Sequence, residues 1–290
     1  MPQEAGVLYV VATPIGNLGD ITDRARKLLS EVDLIAAEDT RETLKLLRHL
    51  GIAAKLVAYH EHNEETMSAR LASDLEGGAK IALVSDAGTP LISDPGYRLV
   101  SAARARGLTV VPVPGVSALT CALSASGLPS DRFLFLGFPP RGASQRRALL
   151  ESVADEPGTL VFYESGKRVM ATLADVRDTL GADRRSVIAR ELTKRFEIFL
   201  TGHPGELIAQ LEADAAQRLG ELVLLVEGRQ ACSGSEDRVE LERVLRVLCD
   251  ALPLSQAAVV AARLSGAKKN RLYRLGLELG LDAAGGDAGD

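Results

Sequence analysis

The sequence predicts an α/β protein with two unlike α/β domains followed by a small helical module. Three observations carry that reading. The N-terminal half alternates short apolar runs with helical stretches, the middle contains two strand-like runs with no helix between them, and the C-terminal part shows only helical periodicity. In the first half, residues 8–12 form an apolar run that ends in the turn-rich segment 13–20, and Thr22 is placed to cap a helix reaching position 29. Residues 33–37 repeat the pattern, entering Glu38-Asp39-Thr40-Arg41 and then a helix with Leu44, Leu47 and Leu50 on one face and Gly51 as its stop. Residues 55–58 read as a third strand, 65–75 as a helix, 80–84 as the fourth strand and 108–113 as the fifth. Strands separated by helices pair in parallel, so this half reads as a doubly wound sheet. Ligands of such sheets sit beyond the carboxyl ends of the strands, which brings the loops after the first, second and fourth strands to one crevice.

The loop after the fourth strand, residues 85–96 (SDAGTPLISDPG), is the most informative stretch of the chain. A strand-to-helix connection needs only a few residues, and this one spends a dozen. Its small residues let backbone groups approach a ligand, Gly88 admits dihedrals closed to other residues, and Pro90 and Pro95 stiffen the path. Asp86 is then a hydrogen-bond acceptor for a ligand, its competing role being a helix cap.

Pro114-Gly115-Val116-Ser117 opens a helix of small residues that stops at Gly127-Leu128-Pro129, where the first domain (1–128) passes to the second (129–228). Ser117 lies in the first turn of that helix, where unpaired amides favour a carboxylate; a simple cap is the alternative. In the second domain, 133–138, 159–163, 186–189, 197–201 and 222–226 read as strands and 145–153, 168–180 and 204–211 as helices. The strands flanking Arg195 suggest a hairpin and hence a mixed sheet. Residues 229–237 have linker composition. Helical patterns at 239–251, 255–264 and 270–279 form a module over 238–281, and the tail 282–290 reads as disordered.

With 290 residues, 46% hydrophobic and 25% charged, the chain has the composition of a soluble globular protein. No apolar run is long enough for a membrane span, and Met1-Pro2-Gln3-Glu4 lacks a basic signal-peptide start, so a cytoplasmic location without membrane contact is expected. Cys121, Cys232 and Cys249 are odd in number and widely separated, which suggests reduced thiols. His60-Glu61-His62 offers two histidines and no nearby third ligand, so no metal is expected. A Walker loop, a G-x-S-x-G elbow and a G-x-G-x-x-G fingerprint after the first strand are all missing, which removes the main support for kinase, hydrolase and ordinary dehydrogenase readings.

Taken in order, Ala12-Thr-Pro-Ile-Gly-Asn-Leu18, Ala37-Glu-Asp-Thr-Arg41, residues 85–96, Pro114-Gly-Val-Ser117, Gly137-Phe138 with Pro140-Arg141, Val161-Phe-Tyr-Glu-Ser165, Arg190-Glu-Leu-Thr-Lys194 and residues 221–228 (ELVLLVEG) carry a resemblance. The sequence resembles the tetrapyrrole-methylase-like superfamily of S-adenosylmethionine-dependent methyltransferases. Within it, the chain is similar to the bacterial enzymes that methylate small-subunit ribosomal RNA. The resemblance implies methyl transfer from S-adenosylmethionine to the ribose 2'-hydroxyl of a cytidine in the decoding region of 16S rRNA. It also implies a homodimer and a cofactor held between the two domains. One departure stands out: Gly166-Lys167 occupies the place where the family pattern leads us to expect Pro-His.

The expected cofactor contacts are Pro14, Gly16, Asp86, Ala87, Gly88, Thr89, Ile92 and Ser117, with Leu136, Glu164 and Leu192 added from the second domain by resemblance. A ribose hydroxyl is a poor acid, so positioning must supply much of the acceleration, with a base to assist. Glu38, Asp39 and Glu191 are the candidate carboxylates, and Arg41 and Arg190 would fix a phosphate or orient those acids; structural ion pairs at strand ends are the equally weighted alternative. For RNA, an acidic protein of net charge −5 must concentrate its positive surface, and Arg141, Arg146, Arg147, Lys268, Lys269 and Arg271 are the candidates. The C-terminal helices read either as a helix-turn-helix-like RNA module or as a dimer clasp. A tetrapyrrole or other small acceptor on the same fold, and a noncatalytic ribosome-binding factor, are the competing functional readings.

Overall fold

In the computed structural model, which describes residues 6–229 and 235–282, five parallel strands build the N-terminal sheet. They are β1 (Val7–Val11), β2 (Leu34–Ala37), β3 (Leu56–Ala58), β4 (Lys80–Val84) and β5 (Thr109–Val113), in the order β3-β2-β4-β1-β5. The helices α1 (Asp23–Glu31), α2 (Thr40–Leu50), α3 (Glu64–Glu76) and α4 (Tyr97–Ala105) cover both faces. Strand alternation decides which side chain meets which helix. Leu8, Ile81 and Leu83 pack with Leu71, Leu75 and Leu99 of α3 and α4, whereas Val11, Ile35, Ala82 and Val84 pack with Ala25, Leu29 and Leu47 of α1 and α2. The continuous apolar run of β4 thus reflects burial on both faces, as a doubly wound sheet requires.

The second sheet is mixed: β6 (Phe133–Gly137), β7 (Thr159–Ser165), β8 (Ser186–Arg190), β9 (Ile198–Gly202) and β10 (Glu221–Val226) lie in the order β6-β7-β10-β8-β9. Only β6 and β7 are parallel; β10 runs antiparallel to β7 and β8, and β8–β9 is the expected hairpin. α6 (Ala143–Ser152), α7 (Val169–Leu180) and α8 (Pro204–Ala213) pack on one face through Leu150, Val169, Leu173, Val176, Leu207 and Leu211. The other face is covered by α5 (Ala118–Ala125), whose Leu119, Ala122 and Leu123 pack on Val161, Val187, Ala189, Val223 and Leu225. α5 therefore leaves the first sheet by sequence and belongs to the second by packing. Both sheets fall in one compact unit, Met1–Arg229.

A second unit holds α9 (Ser235–Cys249), α10 (Leu254–Ser265) and α11 (Lys269–Glu278), cored by Leu241, Leu245, Ala258, Ala261, Leu272 and Leu275. Cys232, most of the expected linker, the tail beyond Asp282 and the first five residues lie outside the described residues.

One expectation is overturned by packing. Arg146, expected on an RNA-binding surface, is 5% exposed, and its guanidinium meets Asp175 of α7 at 2.6 Å while donating to the Pro140 and Arg141 carbonyls. Arg147 reaches the other oxygen of Asp175 at 2.6 Å from a half-exposed position. Burial pushes the Asp175 carboxyl up, but hydrogen bonds from Arg147 and Arg146 outweigh it and hold the group below its ordinary range. The sequence shows two adjacent arginines; only the helix phase shows that the first faces inward. Removing the shared acid strands a buried guanidinium, so Asp175→Ala should lower the unfolding free energy in urea by about 3–5 kcal/mol. Arg147→Ala should cost less than about 1 kcal/mol. Equal losses in the two variants would contradict this account of the pair.

Candidate functional site

The loops at the carboxyl ends of the first sheet are hydrogen-bonded to one another before any ligand is considered. Thr13, just beyond β1, exchanges both backbone hydrogen bonds with Gly88, at 2.8 and 3.0 Å, and its hydroxyl donates to the Ser85 carbonyl at 3.2 Å. The Thr89 hydroxyl donates to the Val116 carbonyl at 3.0 Å and so ties in the loop after β5. Asp86 Oδ1 accepts the Asp39 backbone N–H at 2.9 Å, while the Asp86 N–H donates to Glu38 Oε2 at 3.3 Å. Gly88 has φ +87°, a conformation that costs glycine little and lets both its backbone groups face Thr13.

Among the described residues, four non-glycine residues adopt left-handed φ: Leu91 (73°), Ser93 (69°), Glu191 (51°) and Thr193 (65°). Such geometry costs roughly 1–3 kcal/mol per residue and persists where surrounding structure over-determines it, commonly at ligand sites. All four belong to two segments, 85–96 and 191–194, that wall a single cavity of about 220 Å³. Ile15, Glu38, Asp86, Ala87, Gly88, Thr89, Ile92, Asp94, Ser117 and Ala118 line it from the first sheet's side. Phe138, Tyr163, Glu164, Ala189, Glu191, Leu192, Lys194 and the start of β10 line it from the second.

Most of the expected cofactor residues thus meet in one place, but Pro14, Gly16 and Leu136 are not in the lining. Leu136 packs against the core of the second sheet instead. Gly16 acts by being small: a Cβ there would come within 2.6 Å of the Lys194 side chain, whose ammonium pairs with Glu191 at 3.1 Å. Glu164 reaches the lining, yet its carboxylate is engaged in the interior, accepting from Thr172 Oγ1 at 2.6 Å and the Ser165 N–H at 2.9 Å, with Arg168 at 3.4 Å. Ser117 is the N-cap residue of α5 but its side chain makes no cap bond; the Leu119 N–H is taken by the Tyr163 hydroxyl at 3.2 Å, a bond between the helix and β7.

The candidate acids separate by environment. Asp39 caps α2, accepting the Arg41 N–H at 2.8 Å and pairing with the Arg41 guanidinium at 2.6 Å. These contacts hold its carboxyl down at about 2, and neither Asp39, Arg41 nor Arg190 lines the cavity. Burial pushes the carboxyls of Glu38 and Asp86 up, and each also feels neighbouring negative charge. The largest effect falls on Asp94, which burial raises to about 7 against the opposing contact with Ser85, with Glu38 and Asp86 adding to the rise. Asp94, Tyr163, Phe138 and Lys194 are cavity residues that sequence reasoning did not single out. Asp94 had a visible signal, as a second aspartate in the dozen-residue loop; Phe138 and Tyr163 lie within stretches that carry the resemblance, but nothing in the sequence shows the aromatic wall itself, with Tyr163 edge-on to Phe135 and Phe138 at 4.8 and 5.6 Å.

Gly166 accounts for the departure from the family pattern. Its N–H donates to the Gly220 carbonyl at 3.0 Å, and a Cβ would overlap the Arg218 carbonyl, so proline fits neither requirement on this backbone. Elsewhere, Arg141 is exposed, and His60 and His62 meet edge to face with centroids 5.9 Å apart. In the second unit, Lys268 and Arg271 share a groove with Arg238 and Arg274, while Lys269 lies outside its lining. Arg238 is tied there to Glu242 and Glu278, both at 3.0 Å.

Comparison with known proteins identifies these features. Residues 7–208 match the family model of the tetrapyrrole (corrin/porphyrin) methylases, and residues 235–280 match the RsmI C-terminal HTH domain. The chain is 53% identical to the ribosomal RNA small subunit methyltransferase I of Pseudomonas aeruginosa, over 94% of this chain and 98% of that one. It is 52% identical to the protein of that name from Escherichia coli O157:H7, over 94% and 95%, and 50% identical to that of Vibrio cholerae, over 96% of each. Among solved structures, the methyltransferase CobJ aligns with a TM-score of 0.57 at 18% identity, covering 78% of this chain and 97% of that one. Diphthine synthase aligns with a TM-score of 0.56 at 13% identity, covering 77% and 90%. Both of these share the fold. The double sheet, the cavity between its halves and the full-length relatives together place the chain in the ribosomal RNA small subunit methyltransferase I family, a branch of the tetrapyrrole (corrin/porphyrin) methylases.

Proposed function

We propose that this chain is an S-adenosylmethionine-dependent methyltransferase that methylates the ribose 2'-hydroxyl of a cytidine in 16S rRNA. The single observation that carries the reading is near-complete coverage of relatives named as small-subunit rRNA methyltransferases at about half identity, 53% for that of Pseudomonas aeruginosa. The chemistry of the cavity fits the cofactor. Carboxylates at Glu38, Asp86 and Asp94 suit an ammonium group, a sulfonium and ribose hydroxyls, Tyr163 and Phe138 offer faces for a purine, and the first turn of α5 suits a carboxylate. When bound, S-adenosylmethionine supplies an activated methyl group on positively charged sulfur.

The protein's own residues then have two tasks, holding a hydroxyl in line and receiving its proton. Asp94 is the carboxyl best matched to the second, because a base works best with a pKa near the working pH and this one lies at about 7. Asp39, at about 2, is a far weaker base, and its bond to Arg41 suits it to shaping the start of α2. Glu191 is held by Lys194 and serves better to fix the 191–194 loop. The exposed Arg141 and the basic groove around Lys268 and Arg271 are the phosphate contacts of this reading, with Lys269 beside them. It also carries a homodimer, which sedimentation velocity measures directly, and a cytoplasmic setting; among the described residues no helix is long and apolar enough to cross a membrane.

Incubation with labelled S-adenosylmethionine and unmodified small subunits should place label on a cytidine 2'-oxygen of 16S rRNA. Label on a porphyrin precursor would favour the small-acceptor reading, and no transfer to either would contradict a methyltransferase.

Asp94→Asn separates catalysis from stability. Its kcat should fall about a hundredfold or more, with loss of the rise in rate near pH 7. Burial favours the neutral acid, so ionisation costs folded-state stability as pH climbs from the ordinary 3.8 through about 7. The variant should therefore unfold at higher temperature than the parent above pH 7, with the difference vanishing near pH 4. An unchanged rate profile would remove Asp94 from proton transfer.

A further inference from the structure

The 191–194 loop has a second side. Its inner residues wall the cofactor cavity, while Arg190 before it and Arg195 and Phe196 after it line a separate groove of about 610 Å³, completed by Ile198 and Leu219. Phe196 and Leu219, 67% and 61% exposed, put two large apolar side chains into the same groove as the two arginines. The Arg195 guanidinium lies 5.5 Å from the Phe196 ring centroid. Arg190 donates through Nε to the Leu219 carbonyl at 2.7 Å, which fixes its direction without neutralising its charge. Neither arginine has an ion-pair partner within 4.0 Å among the described residues. The two acids of the groove are turned to local donors: Glu197 accepts the Thr193 N–H at 2.6 Å, and Asp214 accepts the Ala216 N–H at 2.9 Å and the Gln217 amide at 3.2 Å.

An exposed aromatic ring in one groove with two guanidinium groups that carry no ion pair, the groove's two carboxylates being engaged by local N–H donors, has the chemistry of a single-stranded nucleic-acid platform, in which the ring stacks a base and the cations hold adjoining phosphates. We propose that this groove seats a nucleotide flanking the acceptor, with its base on Phe196 and its phosphate on Arg190 and Arg195. The inference rests on the rRNA reading above and extends it by naming where the strand leaves the reaction cavity. Because the strained 191–194 loop walls the inner cavity and the residues on either side of it line the outer groove, a base stacked outside would help to fix the ribose presented inside. The groove differs from the basic surface of the C-terminal helices in needing an unpaired base as well as phosphate.

The test uses the full chain, a fluorescent single-stranded oligoribonucleotide of about ten nucleotides spanning the methylated position, and unmodified small subunits. Phe196→Ala should weaken oligonucleotide binding about tenfold and raise the KM for subunits, with S-adenosylmethionine affinity by calorimetry and the sedimentation coefficient unchanged. Phe196→Tyr should restore binding. Arg195→Ala should shallow the dependence of log affinity on log salt by about 0.7. Parent-like binding by Phe196→Ala while the parent methylates subunits would overturn this inference alone. Conversion of a dimer to monomer by Phe196→Ala would assign the groove to a second copy and also overturn it. Failure of the parent to methylate subunits would overturn the rRNA reading, and this inference with it.

Discussion

The two-bond bridge between Thr13 and Gly88 is the contact on which the site depends. Neighbouring parallel strands β1 and β4 deliver their loops to the same end of the sheet, but adjacency alone leaves a long loop free to spread over the surface. The bridge closes residues 85–96 back onto the end of β1, the Thr89–Val116 bond brings in the loop after β5, and Asp86 brings in the end of β2. Four strand ends thereby form one rigid rim. Leu91 and Ser93 can be held in left-handed geometry because that rim leaves them little alternative.

The opposite wall is made rigid by different means. α5 buries its apolar face against the second sheet, and the Tyr163–Leu119 bond ties β7 to the first turn of that helix. The 191–194 loop carries the remaining strain, fixed by Glu191–Lys194, Glu197–Thr193 and Arg190–Leu219 contacts. Lys194 lies over Gly16, so the second wall presses on the first at a point where no side chain intrudes. A crevice of this kind is organised before its ligand arrives, which limits the ordering cost of binding.

Much of this was legible in the residues. The alternation of strands and helices, the excess length of the 85–96 loop and the carboxyl-end rule were enough to predict a parallel sheet and to put Asp86, Ala87, Gly88, Thr89 and Ile92 at a crevice, while Ser117 was picked out by its place in the first turn of a helix. The hairpin around Arg195 was equally readable, since two apolar runs lay too close for a crossover helix. What failed to show was rotational phase and partner choice. Arg146 and Arg147 are chemically identical in the sequence, yet a step of about 100° around the helix puts one into the interior against Asp175 and leaves the other half exposed. Glu164, expected by resemblance to face the cofactor, does line the cavity, but its carboxylate is held by Thr172, Ser165 and Arg168, a choice of partners that the sequence does not display. The raised pKa of Asp94 likewise depends on burial beside Glu38 and Asp86, a property of the ends of β2 and β4 brought together.

Direct observation of the ligand tests the central claim, that the rim of the first sheet and the strained loop of the second enclose the methyl donor. A crystal structure of the chain with S-adenosylhomocysteine should show the nucleoside against residues 86–92 and its amino-acid end near Ser117, within the cavity that Leu192 and Tyr163 complete. Density for the ligand at any other surface, with this cavity filled only by water, would contradict the account.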